Sequence, residues 1–393
     1  MSAQIAGTGA RAGTATAPSQ GTGVAGDETG ASGGAASQAR PRKATYPGFR
    51  ATLKLVGTGS RGSRDLSFDE ACDALGALLR AEATSAQAGA FLIATRIKGE
   101  SPEELAGYAQ ALRDAAEPMS ALTDRPLVAC AGAYDGSLQA PHLSLAAAIV
   151  AGACGAGIVV HCGPRLGPKY GVSARDVLAA LGAPRSPTRA QSEAMLARAG
   201  VTVVDTSRAV QGWNALTRLR NEVGLRGPVH SAEKLLDYFG ARRFVVGYTH
   251  SAYAGRLLGA LALLGAERAL AVRGTEGSDV VRPGRPVAYE LDGQLELPGR
   301  PGRGAAAPGR EIAAAARGEI ASAAGGEIAA ARLTEGILDG SHHGPERDAV
   351  VLSAALRLYA AGLVRDARDG LDPADGSIRD GAALATLQAV IGP

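Results

Sequence analysis

The stretch RRFVVGYTHSAYAGRLLGALALLGAERALAVRGTEG, residues 242–277, constrains this chain more than any other. It reads strand, loop, helix, strand, loop. Two strands joined through a helix of that length run parallel, because a tight hairpin is too short to carry the crossover. The pattern recurs upstream. RPLVACAGAYDG (125–136) is a short apolar strand ending in a Gly-rich loop, and a second strand, GIVV (157–160), follows a helical segment. Strands alternating with helices predict an α/β layer with a mainly parallel sheet. Ligands in such sheets sit beyond the C-terminal strand ends. Those ends carry three loops here: AGAYDG, HCGPRLGPKYG (161–171) and RGTEG.

The N-terminal part has another character. SFDEACDALGALLR (67–80) opens with Ser67 and Glu70 at capping-box spacing, and apolar residues follow at helical intervals. SAQAGAFLIATRIKG (85–99) predicts a second helix closed by Gly99. Ser101-Pro102-Glu103-Glu104 starts a third, with Pro at the first turn and acids near the positive dipole end. The expectation is a small helical domain over 49–121, joined by some helices from beyond the first strand, and an α/β domain over 122–393. Residues 1–48 are Gly, Ala, Ser and Thr with almost no large apolar side chains, which predicts a disordered tail. A low-complexity insertion is expected near 300–331, where Glu-Ile steps recur at 311, 319 and 327. GPERDAVVLSAALRLYAAG (344–362) predicts a long amphipathic helix with Pro345 near its start.

Residues 143–160, LSLAAAIVAGACGAGIVV, reach membrane-spanning length. They are mostly Ala and Gly, and polar loop residues follow at once, so the reading is a buried helix running into a strand. Cys72, Cys130, Cys154 and Cys162 show neither a CxxC pair nor zinc spacing, and the first twenty residues lack a signal-peptide core. A reduced, cytoplasmic protein is expected. The net charge of +3 is too small to imply a polyanionic partner by itself.

AGAYDG matches neither GxGxxG nor the P-loop pattern. Backbone N–H groups in Gly-rich turns still hold phosphate oxygens, so the loop reads either as a plain turn or as a ligand cradle. In HCGPRLGPKYG, Arg165 and Lys169 are placed to face a phosphate, and Gly163, Gly167 and Gly171 let the backbone approach. The bland alternative is a solvated basic connector. Asp279 and Glu276, in RGTEGSDV, are candidate Mg²⁺ ligands or simply a solvated turn. There is no Ser–His–Asp order and no metal-ligand cluster in the sequence.

Four stretches together resemble the anthranilate phosphoribosyltransferase family, which shares its fold with pyrimidine nucleoside phosphorylases. They are the module through FLIATRIKGESPEELAGY, then HCGPRLGPKYGVSARDVLAALG, LRNEVGLRGPVHSAEKLL and ILDGSHHGPERDAVVLSAALRLYAAG. The resemblance covers about 50–390 apart from the insertion. It implies a substrate cleft between a helical and an α/β domain, a homodimer through the helical domain, and transfer of phosphoribosyl from 5-phosphoribosyl 1-pyrophosphate to an aromatic amine with Mg²⁺ present. Carried over residue by residue, it assigns Asp135, Gly136, Ser144, Lys169 and Gly171 to phosphoribosyl pyrophosphate. His161 and Arg220 go to the acceptor, and Asp279 with Glu276 to the metal.

Several family positions are altered. Ala133 and Tyr134 replace glycines before Asp135, and His142 and Leu145 flank Ser144 where the family has Asn and Thr. Val160 replaces a Lys, Gly163 an Asn, and Val280 the second carboxylate of an Asp-Glu pair. These departures resemble a divergent branch, some members of which bind nucleic acid through a basic groove. Arg208, Arg218, Arg220, Arg226, Arg242 and Arg243 are the residues that would supply such a surface, and a solvated helix face is the plain alternative.

Overall fold

The structure is a computed structural model that describes residues 48–282, 284–298 and 326–392. The tail expected over 1–48 therefore lies outside the described residues except for Gly48, as does most of the 300–331 stretch.

Seven strands form one sheet: β1 (Leu127–Ala131), β2 (Gly157–Cys162), β3 (Val201–Asp205), β4 (Arg243–Tyr248), β5 (Arg268–Arg273), β6 (Ala288–Glu290) and β7 (Gly293–Gln294). Their order is β3-β2-β1-β4-β5-β6-β7. Strands β1 to β5 pair in parallel, and the short β6 and β7 close the edge antiparallel. The expected mainly parallel α/β layer is present. β3, VTVVD, is a further strand that β-branched composition alone would mark.

Alternation along each strand separates two cores, because successive side chains point to opposite faces. Val128, Cys130, Ile158, Val160, Val201, Val203, Val245, Leu270 and Val272 face one cluster, built with helices Ser144–Ala153 and Pro345–Ala361. Ala129, Ala131, Val159, Val204, Phe244, Val246 and Ala271 face the other, shared with the N-terminal helices and helix Ala252–Leu263. Helix Ser144–Ala153 is buried from Ser144 to Gly152, and no described helix is long and apolar enough to cross a membrane. Its small residues permit close contact: a side chain on Gly152 would run into Val201.

The N-terminal helices are Phe49–Val56, Phe68–Leu79, Ser85–Lys98 and Pro102–Asp114. Capping boxes form at Ser67/Glu70 and at Ser101/Glu104, and Gly99 ends the third helix at φ +83°. Helix Trp213–Val223, which follows β3 in the chain, packs into the same layer against Phe68–Leu79 and Ser85–Lys98. Gly107 lets helices Phe68–Leu79 and Pro102–Asp114 approach closely: a Cβ there would lie 2.8 Å from that of Ala71. The third Glu-Ile step begins helix Gly326–Leu338, whose Ala330, Ala331, Ile337 and Leu338 are buried. From Gly326 onward that stretch is helical and enters the core on one side only, with Ala330 and Ala331 buried and Ile328 exposed.

Candidate functional site

The chain runs β1, β2, β3 in one direction and returns to place β4 on the far side of β1. Ligand crevices of doubly wound sheets open at such a reversal. A cleft of about 350 Å³ opens there, over the C-terminal ends of β1 and β4. Ala133, Tyr134 and Asp135 from the loop after β1 line it, with Tyr248, Thr249 and His250 at the end of β4 and Glu276 after β5. Arg96 and Glu100 come from the end of the third N-terminal helix and its following turn, so the cleft lies between the helical layer and the sheet. Arg226, His230, Lys234, Tyr253 and Leu257 also stand in the wall.

Asp135 is buried at the centre. Its Oδ2 accepts from Arg226 Nε at 2.7 Å and lies 2.6 Å from Arg226 Nη2. Its Oδ1 lies 3.3 Å from the Lys169 ammonium. Gly136, at φ +77°, presses on Gly171, whose N–H donates to the Asp135 carbonyl at 2.9 Å. These two glycines let the β1 and β2 loops lie against each other, and side chains at either position would collide with backbone.

Lys169 is not an open cation. It donates to the Gly136 carbonyl and to the Glu276 carbonyl at 3.3 Å, between the Asp135 and Glu276 carboxylates. The sequence places Lys169 to face a phosphate; in the structure two carboxylates and two carbonyls surround its ammonium. Ser144 is likewise buried, donating to Asp279 Oδ2 at 2.7 Å rather than facing the cleft.

His161 and Arg220 do not line the cleft. His161 sits under the sheet end with Nδ1 2.6 Å from the Tyr134 hydroxyl, which is 3.0 Å from the Thr206 hydroxyl. Burial lowers its pKa to about 3, so the ring is neutral. Arg220 forks onto Glu233 at 2.7 and 3.0 Å and lies over the Trp213 ring. Its side chain is 3% exposed. The carboxylate that this arginine grips is the protein's own.

Asp279 and Glu276 are also spoken for. Asp279 accepts from Arg357 at 2.5 Å as well as from Ser144, and both charged partners are fully buried. Its Oδ1 is buried without a hydrogen bond, but the guanidinium already balances its charge. Glu276 Oε2 accepts from the Leu138 and Gln139 amides at 2.9 and 2.8 Å. Among the described residues no group of three or more His, Cys, Asp or Glu converges as a metal site. The residues present do not build a Mg²⁺ site of their own.

Most of the arginines proposed for a basic groove are drawn to carboxylates of the protein itself. Arg220 and Arg226 hold Glu233 and Asp135, Arg218 faces Glu222 at 3.8 Å, and Arg242 and Arg243 share Glu267.

Sequence reasoning missed Arg96, Glu100, His230 and Lys234. Burial and the neighbouring cations Arg226 and Lys169 lower the Lys234 pKa to about 8, although Asp135 opposes the shift. The lysine donates to the Gly247 carbonyl at 2.6 Å. Burial, then Arg220, holds His230 well below its usual range. Burial raises the Glu100 pKa, and Tyr253 donates to its carboxylate at 3.4 Å. A usable signal was present: GPVHSAEKLL places a His and a Lys near apolar residues in the segment that leads toward β4.

Comparison with known proteins agrees with this architecture. Residues 52–116 match the helical bundle domain of a glycosyl transferase family, and residues 136–384 match its a/b domain. An anthranilate phosphoribosyltransferase of Anaeromyxobacter dehalogenans is 33% identical over 328 residues, covering 83% of this chain and 94% of that protein. The namesake from Roseiflexus castenholzii is 30% identical with the same coverage. The crystal structure of anthranilate phosphoribosyltransferase from Thermus thermophilus superposes with a TM-score of 0.72 at 26% identity, over 84% of this chain and 95% of that one. The Saccharomyces cerevisiae protein in complex with PRPP and Mg shares the fold, with a TM-score of 0.69, 22% identity and 87% and 97% coverage. This chain belongs to the anthranilate phosphoribosyltransferase family of glycosyl transferases and is an enzyme of the phosphoribosyltransferase type.

Proposed function

We propose that this enzyme transfers phosphoribosyl from 5-phosphoribosyl 1-pyrophosphate to anthranilate or a similar aromatic amine. The observation that carries the reading is the cleft at the sheet's reversal point, where Arg96, Arg226 and Lys234 converge around Asp135-Gly136. Three cations in a walled cleft suit a ligand with several phosphate charges. The names of the relatives support the same donor and acceptor class.

In the transfer, the C1–O bond to the diphosphate breaks and a bond from C1 to the amine nitrogen forms. The amine's surplus proton passes to water. Negative charge gathers on the departing diphosphate, so the cations act by neutralising it and holding the two substrates in line. Mg²⁺, which prefers substrate phosphates to dedicated protein cages, would arrive with the diphosphate. The acceptor would take the far wall, where Tyr253, Leu257 and Arg96 supply an apolar face beside a charge. Arg220 has no part in holding it on this reading. The reading carries with it a homodimer through the helical layer and a cytoplasmic place in tryptophan biosynthesis.

The test is pyrophosphate release from the purified protein with phosphoribosyl pyrophosphate, Mg²⁺ and anthranilate, each omitted in turn. Release that needs both donor and amine is expected. No amine-dependent release with anthranilate or with a panel of aromatic amines would defeat the reading.

A further inference from the structure

We propose that Glu276, in the cleft wall, is a built-in occupant of an anion site beside the cleft, and that its carboxylate must leave before a diphosphate binds. The inference rests on the phosphoribosyl reading and deepens it, because it makes Glu276 a specificity-determining residue of the same site.

The adjacent amides of Leu138 and Gln139 both donate to Glu276 Oε2, and Lys169 Nζ lies 3.5 Å from Oε1. Two neighbouring backbone N–H groups beside an ammonium make a site for a phosphate oxygen. In the protein alone the carboxylate fills it. Asp135 does the same for Arg226 and the other side of Lys169, so the donors meet internal anions.

Glu276 reaches this position at a backbone cost. It adopts φ +56°, a left-handed conformation, immediately before Gly277 at φ +88°. A non-glycine residue there is strained. Gly274 and Gly277 on either side allow the turn, and Gly274 has no room for a side chain against Ser278. Release of the carboxylate would therefore free two amides and relax one residue. A singly charged carboxylate ligand gains nothing by replacing another carboxylate. A diphosphate brings several charges to the same donors, so the plug favours multiply charged phosphates over simple acids.

The experiment titrates inorganic pyrophosphate calorimetrically into the full chain and into Glu276→Gln and Glu276→Ala, with a thermal midpoint for each. The gain expected in both variants is about tenfold in affinity, the scale of one net hydrogen bond. Unchanged or weaker binding in the variants, with binding in the parent, overturns this inference alone: Glu276 then builds the site rather than plugging it. Binding in none of the three overturns it together with the phosphoribosyl reading. Should one variant lose its folded transition, the other carries the comparison. Loss in both shows a structural carboxylate and also overturns the inference.

Discussion

Two arginines six positions apart, Arg220 and Arg226, grip carboxylates with nearly identical distances, yet they stand in opposite situations. Arg220 and Glu233 are both sealed, 3% and 0% exposed, under the helical layer. Arg226 reaches the equally buried Asp135 from the cleft with 40% of its own side chain open. A pair sealed on both sides cannot exchange partners without leaving a charge stranded in the interior. A pair open on one side can trade its carboxylate for a ligand's oxygen. The lesson is that access, and not the presence of an arginine, separates scaffold from site. The cause lies in the local chain: Arg220 ends helix Trp213–Val223 over the Trp213 ring, whereas Arg226 follows the Gly224 turn and emerges into the cleft.

The strongest attempt to break this contrast is Arg220→Ala. It leaves Glu233 ionised and buried without a partner, a loss of about 3–5 kcal/mol for such pairs. Burial already raises the Glu233 pKa, so the stranded acid moves further toward its neutral form. Chemical denaturation should show a much lower midpoint, and replacing both partners by methionine should recover most of it. If Arg220→Ala leaves the midpoint in place but abolishes acceptor binding, Arg220 belongs to the site and the contrast fails.

Arg226→Ala should do the reverse. The arginine is partly open, and Asp135 keeps Lys169, so the stability change should be small beside that of Arg220→Ala. Pyrophosphate affinity should fall roughly ten- to a hundredfold, the range of a hydrogen bond to a charged group. Calorimetry on the two alanine variants side by side reads the difference. Equal losses of stability would dissolve it.

The layered fold was legible because local rules carry it. Ser67 and Glu70 stand three apart and cap each other, and alternating apolar residues in β1 to β5 divide between two cores. The loops at the strand ends were legible for the same reason. Partner choice was not. Arg226 meets Asp135 across 91 positions, and Lys169 meets Glu276 across 107. Nothing near Lys169 in sequence shows that two carboxylates will enclose it. Arg220 finds Glu233 only 13 positions on, but through a short helix whose orientation depends on packing against the N-terminal module. The end of β4 is a third case. YTH lies at the sheet's reversal point, and that point is defined by strand order, which no single strand encodes.

The finest distinction concerns Lys234, which shares the cleft with Arg226 but can lose its charge. Burial first, then the cations Arg226 and Lys169, bring Lys234 to about 8. Asp135 and Glu233 oppose that shift without cancelling it. Pyrophosphate affinity should therefore weaken as pH rises through about 8, where the ammonium becomes an amine. The ligand's own ionisation runs the other way, adding negative charge as pH rises. Stability carries the opposite sign from affinity. A lysine whose folded pKa is depressed binds fewer protons than in the unfolded chain, so the fold gains stability as pH climbs from about 8 toward the ordinary lysine value of 10.5. Lys234→Met should remove the stability slope and the weakening of affinity, leaving only the ligand's own contribution, while Arg226 and its contact with Asp135 stay in place. Pyrophosphate titrations at pH 7, 8 and 9, paired with denaturation midpoints at the same values, read the two trends together. A parent and a Lys234→Met variant with the same pH dependence of affinity would assign that dependence to another group and leave Arg226 as the cation that matters.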